Sequence, residues 1–133
     1  MGRRLILDTT TLIAYERGTF DVTVLDDDDL AIAAITVAGF RTGIELAATA
    51  ERAADRARTL DVITSTLTVL DYTEHTATQH ARLLAHVRRH GVPRGAHDLV
   101  IAAHAVESGR ALVSLDARAR FAELPEVTVV DPR

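Results

Sequence analysis

Short apolar runs alternate with segments of helical period along the whole chain, and this alternation restricts the fold more than any other feature. Arg4 to Leu7 reads as a strand with Asp8 at its carboxyl end. Thr9, Thr10 and Thr11 lead directly into a helix through Leu12, Ile13, Ala14 and Tyr15, closed by Gly18. Leu30 to Ile35 is a second apolar run, and Thr36 is placed to cap a helix over Val37 to Ala48. Thr49 is placed to cap another over Ala50 to Thr66, so these two helices should form an antiparallel hairpin. Thr68 to Leu70 is a short strand, and Glu74 to His90 is a helix stopped by Gly91 and Pro93. Asp98 to Glu107 is a very apolar helix stopped by Gly109. Ala111 to Leu115, followed by Asp116, and Val127 to Val130 supply the last strands. Strands alternating with helices predict an α/β fold with a short, mostly parallel central sheet and helices on both faces. A length of 133 residues is that of one domain, residues 1–133.

Two absences narrow the chemistry. There is no cysteine, so a disulfide scaffold, a thiolate nucleophile and a Cys-ligated metal are excluded. All 15 basic side chains are arginine. Without lysine there is no P-loop lysine, no Schiff base and no Ser–Lys pair. The net charge is −4, whereas a chain that binds nucleic acid by electrostatics alone is usually basic. If this chain handles phosphates, something must offset its own carboxylates. No run approaches the roughly 18 apolar residues of a membrane span, and Leu5-Ile6-Leu7 is too short for a signal-peptide core. The expected location is the cytoplasm, with no membrane partner.

The candidate chemistry lies where apolar strands end in acid. In open parallel sheets, sites form beyond the carboxyl ends of strands. Asp8 and Asp116 would face one crevice if their strands are neighbours, and Asp98 opens a helix that must pack on the sheet. Each has a local alternative: Asp8 can cap the helix after it, Asp98 can favour a helix dipole, and Asp116 can cap a short turn over Ala117 to Arg120. Taken together, three such carboxylates would repel one another unless a cation joined them. Hard oxygen ligands without cysteine favour Mg²⁺ or Mn²⁺. The run Asp26 to Asp29 reads as a solvated loop. His86 and His90 share a helix face but lack the glutamate of a zinc-protease helix, so no zinc site is expected. With Thr36 as cap, Gly39 occupies the place where a capping box sets Glu or Gln.

Four blocks of the chain resemble the PIN domain, and most resemble the VapC-type toxins of bacterial toxin–antitoxin pairs. They are Leu5-Ile6-Leu7-Asp8-Thr9-Thr10-Thr11-Leu12-Ile13-Ala14-Tyr15, Ile35 to Glu45, Gly95 to Ala103, and Leu112-Val113-Ser114-Leu115-Asp116 with Arg120-Phe121. The resemblance implies a PIN-like three-layer fold and a single-strand endoribonuclease dependent on Mg²⁺ or Mn²⁺. It also implies a small cognate VapB-type antitoxin and a homodimer or toxin–antitoxin hetero-oligomer. Asp8, Asp98 and Asp116 match three members of the family's carboxylate quartet, as catalytic residues and metal ligands. Gly39 stands where the fourth, a glutamate, belongs, and this implies an impaired nuclease or a non-catalytic module that binds antitoxin or RNA. Thr10, Glu45 and Ser114 are candidates for support of the site. Glu45 lies six residues beyond Gly39, about 240° around the helix, and cannot simply replace the missing acid. Arg17, Arg41, Arg94, Arg118 and Arg120 are candidate RNA contacts. A phospho-acceptor or phosphatase built on Asp8 is disfavoured, because such enzymes use a lysine beside the phosphate.

Overall fold

The computed structural model describes residues 2–132. Five strands form one sheet in the order β3-β2-β1-β4-β5, every neighbouring pair parallel. They are β1 (Arg4–Leu7), β2 (Asp29–Ala33), β3 (Thr68–Leu70), β4 (Ala111–Val113) and β5 (Val129–Val130). The helices are α1 (Thr9–Arg17), α2 (Ala34–Glu45), α3 (Ala50–Thr66), α4 (Glu74–His90) and α5 (Ala96–Ser108). Parallel strands need crossover connections; the helices supply those up to β4, and two short 3₁₀ turns lie in the one from β4 to β5.

The two-residue period of a strand divides the core. Ile6 packs with Leu99, Ile101, Leu112 and Phe121 on one face of the sheet, together with Leu83 of α4. Leu5 and Leu7 point the other way, to Leu12, Ile32, Ile63 and Val113. Both faces of β1 are therefore apolar, which accounts for its unbroken Leu5-Ile6-Leu7 run. Helix α5 is buried continuously from Leu99 to Ala105. Helices α4 and α5 are antiparallel: a short connection joins His90 to Ala96, while Thr76 near the start of α4 donates to Glu107 near the end of α5 at 3.1 Å. The basic end of α4 thus lies alongside the end of α5 that carries Asp98.

Several elements differ from the sequence expectation. Helix α2 begins at Ala34, not Val37, and ends at Glu45. Its cap is Ala33, with no side-chain hydrogen bond, and Thr36 lies buried within the first turn, its hydroxyl without a partner. Gly39 is therefore in the body of the helix, and the capping-box argument for an acid there fails. Strand β2 is Asp29–Ala33 rather than 30–35, because the helix takes the end of that apolar run. Strands β4 and β5 are shorter than the apolar runs around them, and α1 and α5 each begin before the first apolar residue of their pattern. The run Asp26 to Asp29 is not simply a solvated loop. Asp28 accepts from Arg3 at 2.8 Å, and Asp29 opens β2.

The amino edge of the sheet is pinned by Arg110, a residue the sequence patterns do not single out. Its side chain is 5% exposed, and Nη1 donates to Leu5 O at 3.0 Å and Asp29 O at 2.9 Å. One guanidinium thus joins the start of three strands.

His104 of α5 is fully buried, with neither ring nitrogen hydrogen-bonded, 3.9 Å from a Glu107 carboxylate oxygen and edge-on to Tyr72. Burial lowers its pKa, against the weaker opposing pull of Glu107 and Asp71. The unfolded chain therefore binds a proton more readily than the folded one, and stability rises with pH across this window. His104 should destabilise the fold as pH falls below the ordinary histidine value of about 6.5. Urea midpoints measured from pH 7.5 downward should decline less steeply in His104→Phe than in the unmodified chain; parallel curves would assign the decline to other groups.

Candidate active site

Asp8 leaves β1 at the carboxyl edge of the sheet and is 2% exposed. Its backbone N–H donates to Val113 O at 3.1 Å, so strand pairing with β4 continues up to the acid. Its carboxylate caps α1, accepting from Thr11 N at 2.8 Å. The Thr10 hydroxyl donates to the same carboxylate at 3.0 Å, and the Ser114 hydroxyl donates at 2.7 Å. Buried polar oxygens are costly unless they are hydrogen-bonded, and these donors answer that demand. Two of the three adjacent threonines are thereby explained: Thr10 and Thr11 both serve the turn, the latter also donating its hydroxyl to Val113 O at 3.0 Å.

Ser114 connects two of the candidate acids. While donating to Asp8, its oxygen accepts from Asp116 N at 3.0 Å. Asp116 also caps the short 3₁₀ turn Ala117–Ala119, accepting from Arg118 N at 3.0 Å. The local capping roles of Asp8 and Asp116 are therefore real, and they fix both carboxyl groups to one strand edge.

Asp98 lies in the first turn of α5 and is half-buried. Its pKa is raised, first by burial, then by the charges of Asp8 and Asp116, with His97 acting in the opposite direction. The three acids are thus close enough to feel one another. Gly95 makes room for the third: a Cβ there would stand 3.1 Å from Asp98 Oδ2. The sequence offers only a glycine three residues before an acid as a sign of this close approach. In kind, the donor set of carboxylates and hydroxyls suits a hard divalent cation. In geometry it is incomplete, since among the described residues no group of three or more His, Asp or Glu side chains is arranged to hold a metal ion.

Gly39 faces a hollow of about 320 Å³ lined also by Thr9, Ile13, Arg17 and Phe40. A Cβ at position 39 meets nothing within 4 Å. The glycine is thus not required by packing, and a longer side chain would enter the space beside the turn that carries Asp8. Glu45 ends α2, exposed and six residues on, and no contact joins it to the acids. Arg17 borders the Gly39 hollow, and Arg41 and Arg118 are exposed. Arg120 is bound by both ends of its guanidinium to Glu123. Arg94 Nη1 reaches Ala119 O at 3.5 Å, and its Nε has no partner.

Three carboxylates thus gather at the carboxyl edge of a parallel α/β sheet, and the pKa of Asp98 is raised by burial first and then by the charges of the other two. The PIN domain family model matches residues 5–127, and the chain belongs to that family. It is 26% identical over 127 residues to the protein "Ribonuclease VapC" of Rickettsia bellii, covering 95% of this chain and 94% of that one. Among solved structures it resembles a DNA-bound VapBC from Salmonella typhimurium, with TM-score 0.85, 26% identity and all of both chains covered. It also resembles VapBC-5 from Mycobacterium tuberculosis, with TM-score 0.80, 27% identity, and 96% and 97% of the two chains covered.

Neutralising Asp8 as Asp8→Asn keeps a competent cap and removes one repelling charge. The Asp98 pKa should then fall toward the ordinary carboxylate value, as read by ¹³C NMR titration of the side-chain carboxyl. An unmoved Asp98 would remove Asp8 from the causes and leave burial and Asp116.

Proposed function

We propose that this chain, as one PIN domain over residues 1–133, is a VapC-type endoribonuclease toxin acting on single-stranded RNA. The observation that carries the reading is geometric: Ser114 ties Asp8 to Asp116 at one sheet edge, and Asp98 in the first turn of α5 is near enough for the charges of both to raise its pKa. The relatives named above support it, being a VapC ribonuclease and VapBC toxin–antitoxin complexes. By the same analogy the partner is a VapB-type antitoxin, the assembly a homodimer or toxin–antitoxin hetero-oligomer, and the compartment the cytoplasm.

Asp8, Asp98 and Asp116 are the residues that would hold Mg²⁺ or Mn²⁺. Such a cation supplies charge for the scissile phosphate and acidifies water. The chain's own residues set the stage for that chemistry. Ser114 holds Asp8 against Asp116, and Thr10 orients the Asp8 carboxylate. Partial burial strengthens the demand of Asp98 for a counter-charge, since its carboxylate is unfavourable without one. The absent fourth acid at Gly39 weakens the set and impairs cleavage. The same absence, with no three-acid metal group among the described residues, favours a second reading: a PIN-fold module that binds antitoxin or RNA without cutting.

Gly39→Glu separates these readings, with Gly39→Gln as its control. Replacing an exposed mid-helix glycine by either residue should add roughly 0.5–1 kcal/mol of stability through helix propensity. Only the glutamate adds a carboxylate. Cleavage of labelled single-stranded RNA in Mn²⁺ should rise by orders of magnitude in Gly39→Glu, remain low in Gly39→Gln, and vanish in the double variant Gly39→Glu/Asp98→Asn. If neither position-39 variant cuts RNA, the non-catalytic reading replaces the nuclease.

A further inference from the structure

Charge is unevenly distributed along this acidic chain. Residues 75–97 contain no Asp or Glu, although the chain has 19 of them. They carry Arg82, Arg88, Arg89 and Arg94, and five of the 6 histidines. None of these four arginines forms an ion pair with a carboxylate among the described residues. The dipole at a helix C-terminus favours cations in the last turn, which accounts for Arg88 and Arg89 but not for Arg82 or Arg94.

The segment also has a shape. The rings of His86 and His90 stack with centroids 4.0 Å apart and planes 26° from parallel. This pair separates two adjoining hollows. One, of about 360 Å³, is lined by Val87, Val92, Arg94 and Glu123; the other, of about 470 Å³, by Arg82, Ala85, Arg89 and Pro125. Both are also lined by His86 and His90. The strip leads toward the acids: Arg94 reaches Ala119 O, on the turn that Asp116 caps, and Asp98 follows at the start of α5.

We propose that the carboxyl half of α4 and the loop to Arg94 form the docking surface for the RNA phosphodiester backbone, with Arg82, Arg89 and Arg94 as phosphate contacts on either side of the His86–His90 stack. The inference rests on the ribonuclease reading above and gives its substrate a path to the acidic edge. The charge pattern carries it: a polyanion is repelled by most of this chain and attracted by one face. Of the five arginines singled out by sequence as RNA contacts, only Arg94 belongs to this strip, and Arg120 is occupied by Glu123.

Each phosphate neutralised on a single strand contributes about 0.7 to the slope of log K against log salt. Binding of a short fluorescein-labelled oligouridylate to the full chain is measured by anisotropy in EDTA, so that no cleavage is required. Arg82→Gln/Arg89→Gln should weaken binding and reduce the slope by about 1.4. Arg52→Gln/Arg58→Gln on α3 removes the same charge from elsewhere and should leave the slope near that of the unmodified chain. Equal slopes for the two pairs would overturn the docking surface alone and leave the nuclease reading standing. A reduced slope accompanied by a changed sedimentation coefficient would also overturn it, making α4 a contact between copies. If the unmodified chain binds no RNA, the surface and the reading beneath it fall together.

Discussion

A buried carboxylate is the hinge on which this structure turns. Asp8 is taken almost wholly out of water, a placement that is costly unless every lone pair is answered. The answers come from three directions. The amide of Thr11 closes the first turn of α1, the hydroxyl of Thr10 covers the carboxylate, and Ser114 reaches it from the exit of β4. The same bonds that make burial tolerable therefore lock β1 to the helix it feeds and to the strand beside it. Structural and chemical demands coincide at one side chain, because a carboxyl group held in one orientation in a poorly solvated place is also one placed to meet positive charge.

The sheet extends this economy to the second and third acids. Parallel strands bring their carboxyl ends to one edge, so Asp8 and Asp116 become neighbours without any loop reaching across. Asp98 arrives from the opposite direction, on a helix so apolar that it must lie against the sheet, and the missing side chain of Gly95 lets its carboxylate fit. Burial first, and then repulsion from Asp8 and Asp116, raise the pKa of Asp98 in this position. That imbalance, more than any single distance, gives the edge its chemical character.

Much of this was legible in the residues. The limits of β1, α3, β3 and α4 follow from apolar period and from Gly or Thr at their ends, where local signals and tertiary packing agree. The acids at strand ends were legible for the same reason: an unbroken apolar run followed by Asp leaves the charge nowhere to go but the edge. The start of α2 was not legible, because Ala33, Ala34 and Ile35 continue the strand's composition and the helix has no capping side chain. Thr36 looked like a cap and is instead buried in the first turn. Ser114 and Gly95 act through contacts across the fold that no local spacing reveals. Arg110 was hidden by its type, since an arginine before a strand reads as surface and here is buried among the backbone oxygens of two other strands.

Arg110 also divides the molecule into two regimes. A guanidinium keeps its charge at any pH the protein meets. The charge that holds the backbone oxygens of Leu5 and Asp29 at the amino edge is therefore fixed. The opposite edge holds Asp98, whose pKa is raised by burial and then by the charges of Asp8 and Asp116. The amino ends of β1, β2 and β4 share this fixed charge, and the variable one lies at the opposite edge. Changes of charge at the acids can then be absorbed as local rearrangements of turns and side chains, while the register of the strands stays where Arg110 sets it.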